Sequence, residues 1–489
     1  MVASLSDAGR TERLGLVAAH GPDFASGTLW SSSTRQSGLA QLADLTVTLL
    51  AAGRATAPAA LGGATLQAQP GDGSSVTAAS SRLRALVDED QASHEVHALV
   101  PPFFDWLVGG QLAVYLLAVL LWRRKYGSAQ LRGRVLRVVR NVALVAATVP
   151  VSTFLANLFP WWRFQPPMVS VVASVAVFAT ALFAVARLGP WRRVVTGPMA
   201  VISLATLLVL SVDILLGSHL QMSSLLGLQP VVGGRFYGVG NVTFALLATA
   251  ALLLAVAISG HYVAQGRPRV GAAWAIGVGM VALVVDGAPA WGADGGGPPA
   301  LLPGLAYLVL AILGVRITWR RGLLVSVATV ALFLLVGFLD WLRPAHSRSH
   351  LGRFIQSMID GGAWDIVSRK LDANVAILQS SPLAALVPVA LVCAIYLLAR
   401  PTSWASRVLD RSSDACPTLR PGLIALLVTM TIGFAVNDSG VAIPANGAVL
   451  GGPLLIALSL AVLEGETSAG AVVEPADWPA PRRRRGTAS

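Results

Sequence analysis

The chain has 489 residues, 55% hydrophobic and 12% charged, with a mean hydropathy of +0.67 and a formal net charge of +12. A soluble domain carries about 25% charged residues, so an ordinary soluble globular fold is excluded. Apolar runs of about 20 residues fit membrane-crossing helices rather than the alternating strands of a barrel, and the arginines fall in loops between those runs, which ties the charge to topology and not to nucleic acid.

The N-terminal 102 residues differ from the rest: they are polar and rich in small residues. Leu14-Gly15-Leu16-Val17-Ala18-Ala19 reads as a strand running into a loop at His20-Gly21-Pro22. Ser33-Thr34-Arg35, Gly38-Leu39 and a helical stretch from Gln41 to Leu50 follow. These residues resemble the late STRR-x-G-L-V-x-L-T-D-L-x-P-T-L-L stretch of alkaline-phosphatase/sulfatase-superfamily domains over residues 14–53, with Val47 where that pattern has proline. The resemblance implies the last part of an extracytoplasmic α/β domain, here residues 1–53. The superfamily's Asp and His metal ligands are absent, so hydrolase activity is not implied. Residues 1–20 lack the apolar core of a signal peptide, and we expect the chain to begin inside a larger domain whose export signal lies upstream. Residues 54–102 read as a linker, disordered over 54–80, with a short helix from Arg82 to Val87.

Eleven spans are predicted from residue 103 to 463: 103–122, 138–159, 168–187, 195–217, 241–259, 270–287, 300–316, 322–341, 382–399, 421–437 and 441–463. One alternate set of loops, with the 464–489 tail, carries 23 Lys and Arg residues and the other set 7. By the positive-inside rule the first set is cytoplasmic, the N-terminus lies outside and the basic tail lies inside. The expected fold is therefore an all-α polytopic membrane protein with a short, incomplete α/β segment in front of it. Lys125 and Lys370 are the only lysines, and alanine, glycine, valine and arginine dominate. That usage suits a GC-rich bacterial genome and hence a bacterial plasma membrane. Two cysteines, Cys393 in a span and Cys416 in a cytoplasmic loop, offer neither a disulfide framework nor a thiolate metal site. The last pair of spans is either a tight hairpin or a re-entrant element, with Pro444 and Asn446 where a helix can break. In the outer loop 342–381, Leu351, Phe354, Ile355, Met358 and Ile359 mark an amphipathic helix, either lying on the membrane or acting as a lid.

Four polar, glycine-rich clusters fall on the predicted outer face. Arg235, Tyr237 and Asn241 lie among Gly233, Gly234, Gly238 and Gly240, where an arginine fork can take a phosphate or a tight turn can anchor the interface. Asp286 and Asp294 flank Trp291 and can bind a divalent cation, act as acid and base, or serve only to solvate the loop. Arg343, His346, Arg348, His350 and Arg353 combine anion-binding and proton-transfer groups beside Asp340 and Trp341, or touch anionic headgroups. Asn437, Asp438 and Ser439 end the tenth span as a functional acid or a helix-capping turn. Asp213, His219 and Asn157 are weaker candidates. The spans are similar to uncharacterised bacterial multi-pass proteins carrying RFYG-x-GN, GA-D-x-GG and NDSG motifs, a resemblance that supplies no function.

The first expectation is an envelope enzyme that transfers glycosyl or phosphoryl groups from a lipid-linked anionic substrate. Arg235, Tyr237, Asn241, Arg343, Arg348, Arg353 and Asn437 would bind substrate, with His346, His350 or Asp438 as catalytic acid or base. Asp286 and Asp294 would hold a divalent cation. The layout is similar to that of O-antigen-ligase-type proteins, in layout and not in motif. A transporter or lipid flippase is the second expectation, and a non-catalytic membrane component the third.

Overall fold

The computed structural model describes residues 1–4, 12–58, 61–71, 73–123, 128–316, 318–344, 348, 350–362, 404–437 and 440–468, with isolated positions between 364 and 379. Among the described residues thirteen α-helices run in chain order: α1 Leu42–Ala52, α2 Val76–Arg123, α3 Ala129–Leu155, α4 Pro167–Leu188, α5 Gly197–Leu215, α6 Asn241–Ala264, α7 Pro268–Gly287, α8 Gly297–Ile312, α9 Trp319–Trp341, α10 His350–Ile359, α11 Trp404–Ala415, α12 Leu419–Val436 and α13 Ala442–Ser468. Nine of the described helices are long and apolar enough to cross a membrane. The helix α8 is apolar but has only 16 residues, short of the usual span. The predicted span 382–399 lies outside the described residues. Residues 421–463 carry most of α12 and α13, and α13 runs unbroken past Pro444 and Asn446, so the break predicted there is absent.

The helix α6 is the hub. It is buried along almost its whole length and packs against α5, α7, α8, α12 and α13. Its small and aliphatic residues, among them Ala245, Ala248, Ala251 and Ala255, let neighbours approach closely. Glycines do the same on the partners. A Cβ on Gly304 of α8 would overlap Thr429 Oγ1 and stand 2.6 Å from the Ala425 carbonyl of α12. Gly304→Val should therefore cost about 1–3 kcal/mol by overpacking. Thermal unfolding in detergent reads that loss, and an unchanged midpoint would mean that α8 and α12 do not meet there. By contrast α4 and α9 leave most of their apolar surface bare, as lipid-facing helices do.

The stretch 54–102 departs from the linker expectation. Strand β4, Gln67–Pro70, pairs antiparallel with β3, Gly27–Trp30, and a second ribbon joins β1, Val2–Ala3, to β2, Val17–Ala18. The helix α2 begins at Val76 and continues through Pro101-Pro102 for 48 residues, about 70 Å at 1.5 Å per residue. That is more than twice the hydrocarbon thickness of about 30 Å, so the polar half of α2 stands beyond the apolar layer. There it is tied down by polar contacts. Asp88 takes Arg163 at 2.6 Å and Trp162 Nε1 at 3.1 Å, Asp90 takes Arg13 at 2.7 Å, and Ser93 bonds Ser223 at 3.0 Å. The predicted amphipathic helix appears as α10, ended by Gly361 at a φ of 85°.

Candidate functional site

Asp286 sits in the last turn of α7, and the chain then doubles back. Gly292 N donates to Val285 O at 3.0 Å and Asp294 N to Asp286 O at 3.1 Å, which lays Asp294 beside Asp286. Asp286 is 0% exposed, and neither of its carboxylate oxygens accepts a hydrogen bond among the described residues. Asp294 is also buried, and its Oδ1 receives Gly296 N at 3.0 Å. A Cβ on Gly297 would overlap Asp286 Oδ2 and stand 2.8 Å from Asp294 Oδ2, while one on Gly296 would overlap Asn437 Oδ1. Glycine at both positions leaves room for two carboxylates and one amide to converge on the first turn of α8, where unpaired backbone N–H groups favour negative charge.

The first cluster closes over the second. Val239 N donates to Gly292 O at 2.9 Å, and Gly238, at a φ of 74°, lies so close that a Cβ would overlap that same carbonyl. Arg235 donates to Val239 O and, at 3.4 Å, to Gly292 O. Its guanidinium is also near enough to attract Asp286, which Asp294 repels. In this arrangement Arg235 staples two loops together rather than presenting an open phosphate fork. Asn241 opens α6 beneath it. Asp213 plays a comparable part next door, receiving Leu220 N at 2.6 Å and Gln221 N at 3.1 Å. Asn157 bonds the carbonyls of Leu220, Met222 and Ser223. Asp213 and Asn157 thus hold the 216–229 loop.

The third cluster stays local. Arg343 pairs with the buried Asp340 at 3.2 Å, and Asp340 also receives Gly352 N at 2.8 Å, joining α10 to the end of α9. Arg348 bonds Gln356 at 3.1 Å, which in turn takes Trp341 Nε1 at 2.7 Å. Arg353 is half-buried on α10 and His350 opens that helix, while His346 and Asp438 lie outside the described residues. Since α9 packs chiefly on α8 and α10, the described contacts of Arg343 and Arg348 do not reach Asp286. Among the described residues three of the four clusters meet: the Arg235 loop, the Asp286–Asp294 turn and Asn437.

An unforeseen element completes the site. Arg35, in the left-handed region at a φ of 56°, donates to the carbonyls of Pro289 at 3.0 Å and Ala290 at 3.1 Å. Its guanidinium lies 4.0 Å above the Tyr237 ring. Gln36 donates to Gly217 O at 2.9 Å and Phe236 O at 3.0 Å, and Leu39 packs on Met222, Leu228 and Phe236. Behind this loop the buried Asp44 of α1 accepts Ser33 Oγ at 2.7 Å, Gln41 N at 3.1 Å and Ala64 N at 2.8 Å. The N-terminal segment is thus docked on the polar clusters. Ser33-Thr34-Arg35 stood out in the sequence only through the superfamily resemblance, and carries no signal for a partner some 250 residues away.

No family model, curated protein or solved structure matches the chain.

Proposed function

We propose that this is a multi-pass protein of the bacterial plasma membrane, N-terminus outside and C-terminus cytoplasmic. It binds a cation between Asp286 and Asp294 just beneath its outer face, and it acts there on a lipid-linked anionic substrate by glycosyl or phosphoryl transfer. The observation that carries this reading is the wholly buried Asp286 with no hydrogen bond to either oxygen, facing a second carboxylate. Two carboxylates side by side in a dry environment repel each other, and each costs several kcal/mol to desolvate. A bound cation offsets both costs. Carboxylate and amide oxygens are the donors that hard divalent cations select, so Asn437 Oδ1 is the natural third ligand. A cation so held would draw a phosphate to the mouth of the site, where Arg35, Arg235 and the start of α8 add positive field.

Group transfer is favoured over transport by where the charges lie. In the described spans, Asp, Glu, Lys, Arg and His residues gather near the ends of the apolar stretches, as with Asp286, Asp213, Asp340, Arg140 and Arg187. A transporter would place such groups near mid-membrane on broken helices.

The test has two arms. Full-length protein in nanodiscs should bind one manganese ion, read by electron paramagnetic resonance and displaced by magnesium. Asp294→Asn should weaken that binding roughly tenfold or more, the loss of about one charged ligand contact. No binding by the unaltered protein would overturn the cation site. In cells, Asp286→Asn at normal protein level should lead to accumulation of a lipid-linked phosphate compound in membrane extracts. An unchanged lipid profile would overturn the transfer reading.

A further inference from the structure

A second site lies at the opposite end of the bundle from Asp286. There α3, the turn between α4 and α5, and α13 enclose a cavity of about 250 Å³. Four arginines line it, Arg140, Arg187, Arg192 and Arg193, against one carboxylate, Glu464. Glu464 is already engaged by Arg137 at 2.7 Å and Arg140 at 2.6 Å. No carboxylate pairs with Arg187, Arg192 or Arg193 among the described residues. Arg140 is repelled by Arg137 and Arg187, and its Nε is buried without a hydrogen-bond partner. The inner wall is apolar, with Leu144 and Leu458.

The positive-inside rule explains why arginines sit at this end of the helices. It does not explain why four of them converge around one cavity, three of them with no carboxylate partner among the described residues. Arg140 and Arg187 stand near enough to repel, and an anion between them would offset that repulsion. Guanidinium forks match phosphate oxygens in geometry as well as charge. We infer that this cavity binds a phosphate group, with Arg187, Arg192 and Arg193 as its clamp and Arg140 at its back. Two carriers supply that chemistry: the headgroup of an anionic phospholipid, whose apolar body would continue along Leu144 and Leu458, or a soluble phosphate. The site is independent of the Asp286 proposal, since it shares no residue with it.

The test uses full-length protein. Its thermal midpoint is measured in phosphatidylcholine nanodiscs, in equimolar phosphatidylcholine and phosphatidylglycerol nanodiscs, and in phosphatidylcholine nanodiscs with added pyrophosphate. A rise with phosphatidylglycerol supports a lipid headgroup, and a rise with pyrophosphate supports a soluble phosphate. No rise with either overturns the inference. The triple variant Arg187→Gln, Arg192→Gln, Arg193→Gln should weaken binding roughly tenfold or more; unaltered binding overturns it. Should that variant fold poorly, Glu464→Gln gives an opposite and independent readout. Removing the competing carboxylate should tighten phosphate binding several-fold, and unchanged affinity would overturn the inference.

Discussion

Asp286→Asn is expected to raise the thermal stability of the protein in cation-free buffer while eliminating its response to added divalent cation. Most buried charges lose stability when truncated, because a partner is left behind. Asp286 has no hydrogen-bond partner to leave among the described residues. What the substitution removes is repulsion from Asp294 and the desolvation of a charge, at nearly unchanged volume. Relief of repulsion and desolvation outweighs the lost attraction to Arg235, and a gain of about 1 kcal/mol follows. An increase in stability joined to a loss of function is the mark of a site kept strained for use. Gly297→Val gives the contrasting result. Its side chain would occupy the space shared by both carboxylates, so it should lower stability and block cation binding together. Calorimetry of the two variants with and without magnesium distinguishes these outcomes. If Asp286→Asn is instead destabilised, the carboxylate makes a native contact and its role is structural.

Nine of the predicted spans coincide with long apolar helices, legible because membrane solvation imposes one rule on every residue of a run: about 20 consecutive apolar residues, with charge confined to the ends. The helix α10 was legible because Leu351, Phe354, Ile355, Met358 and Ile359 repeat with helical period. The helix α2 was not. Residues 76–100 carry a mixed polar sequence with no continuous apolar stripe, and Pro101-Pro102 reads as a stop signal. Its helix is held by partners distant in sequence, such as Arg163 on Asp88 and Ser223 on Ser93. For the same reason β4 escaped notice, since Gln67–Pro70 has no strand pattern and owes its conformation to β3. Within the site, local chemistry could be read and convergence could not. The composition of each cluster singled out Arg235, Asp286, Asp294 and Asn437. That Asn437 meets Gly296, or that Arg235 spends its guanidinium on Val239 and Gly292, depends on how α7, α8 and α12 cross. The third cluster carried the most conspicuous chemistry in one dimension. In three dimensions Arg343 and Arg348 are occupied locally by Asp340 and Gln356.

Releasing the N-terminal segment should open the site. The double variant Arg35→Ala, Gln36→Ala removes two charged hydrogen bonds to the carbonyls of Pro289 and Ala290, the stacking on Tyr237, and two amide bonds to Gly217 and Phe236. A charged hydrogen bond is worth about 1.5–3 kcal/mol and a neutral one about 0.5–1.5, with about 0.5–1 from the cation–ring contact. These are not additive, because all five contacts depend on one docked loop. Docking should still weaken by about 3 kcal/mol, enough to shift a closed loop to a substantial open population. The helices do not depend on this loop for their core, which centres on α6, so the midpoint of global unfolding should change little. Hydrogen exchange reads the difference. Residues 27–52, 216–220 and 235–239 should lose protection together in the variant, while α6 and α7 keep theirs. Under the reading that Arg35 guards the entrance to a cation held by Asp286 and Asp294, manganese should also exchange faster with magnesium. Coordinated loss of protection with unchanged cation exchange would mean that the segment is a fastening and not a gate. Unaltered protection in all three stretches would mean that Arg35 and Gln36 do not hold the segment in place.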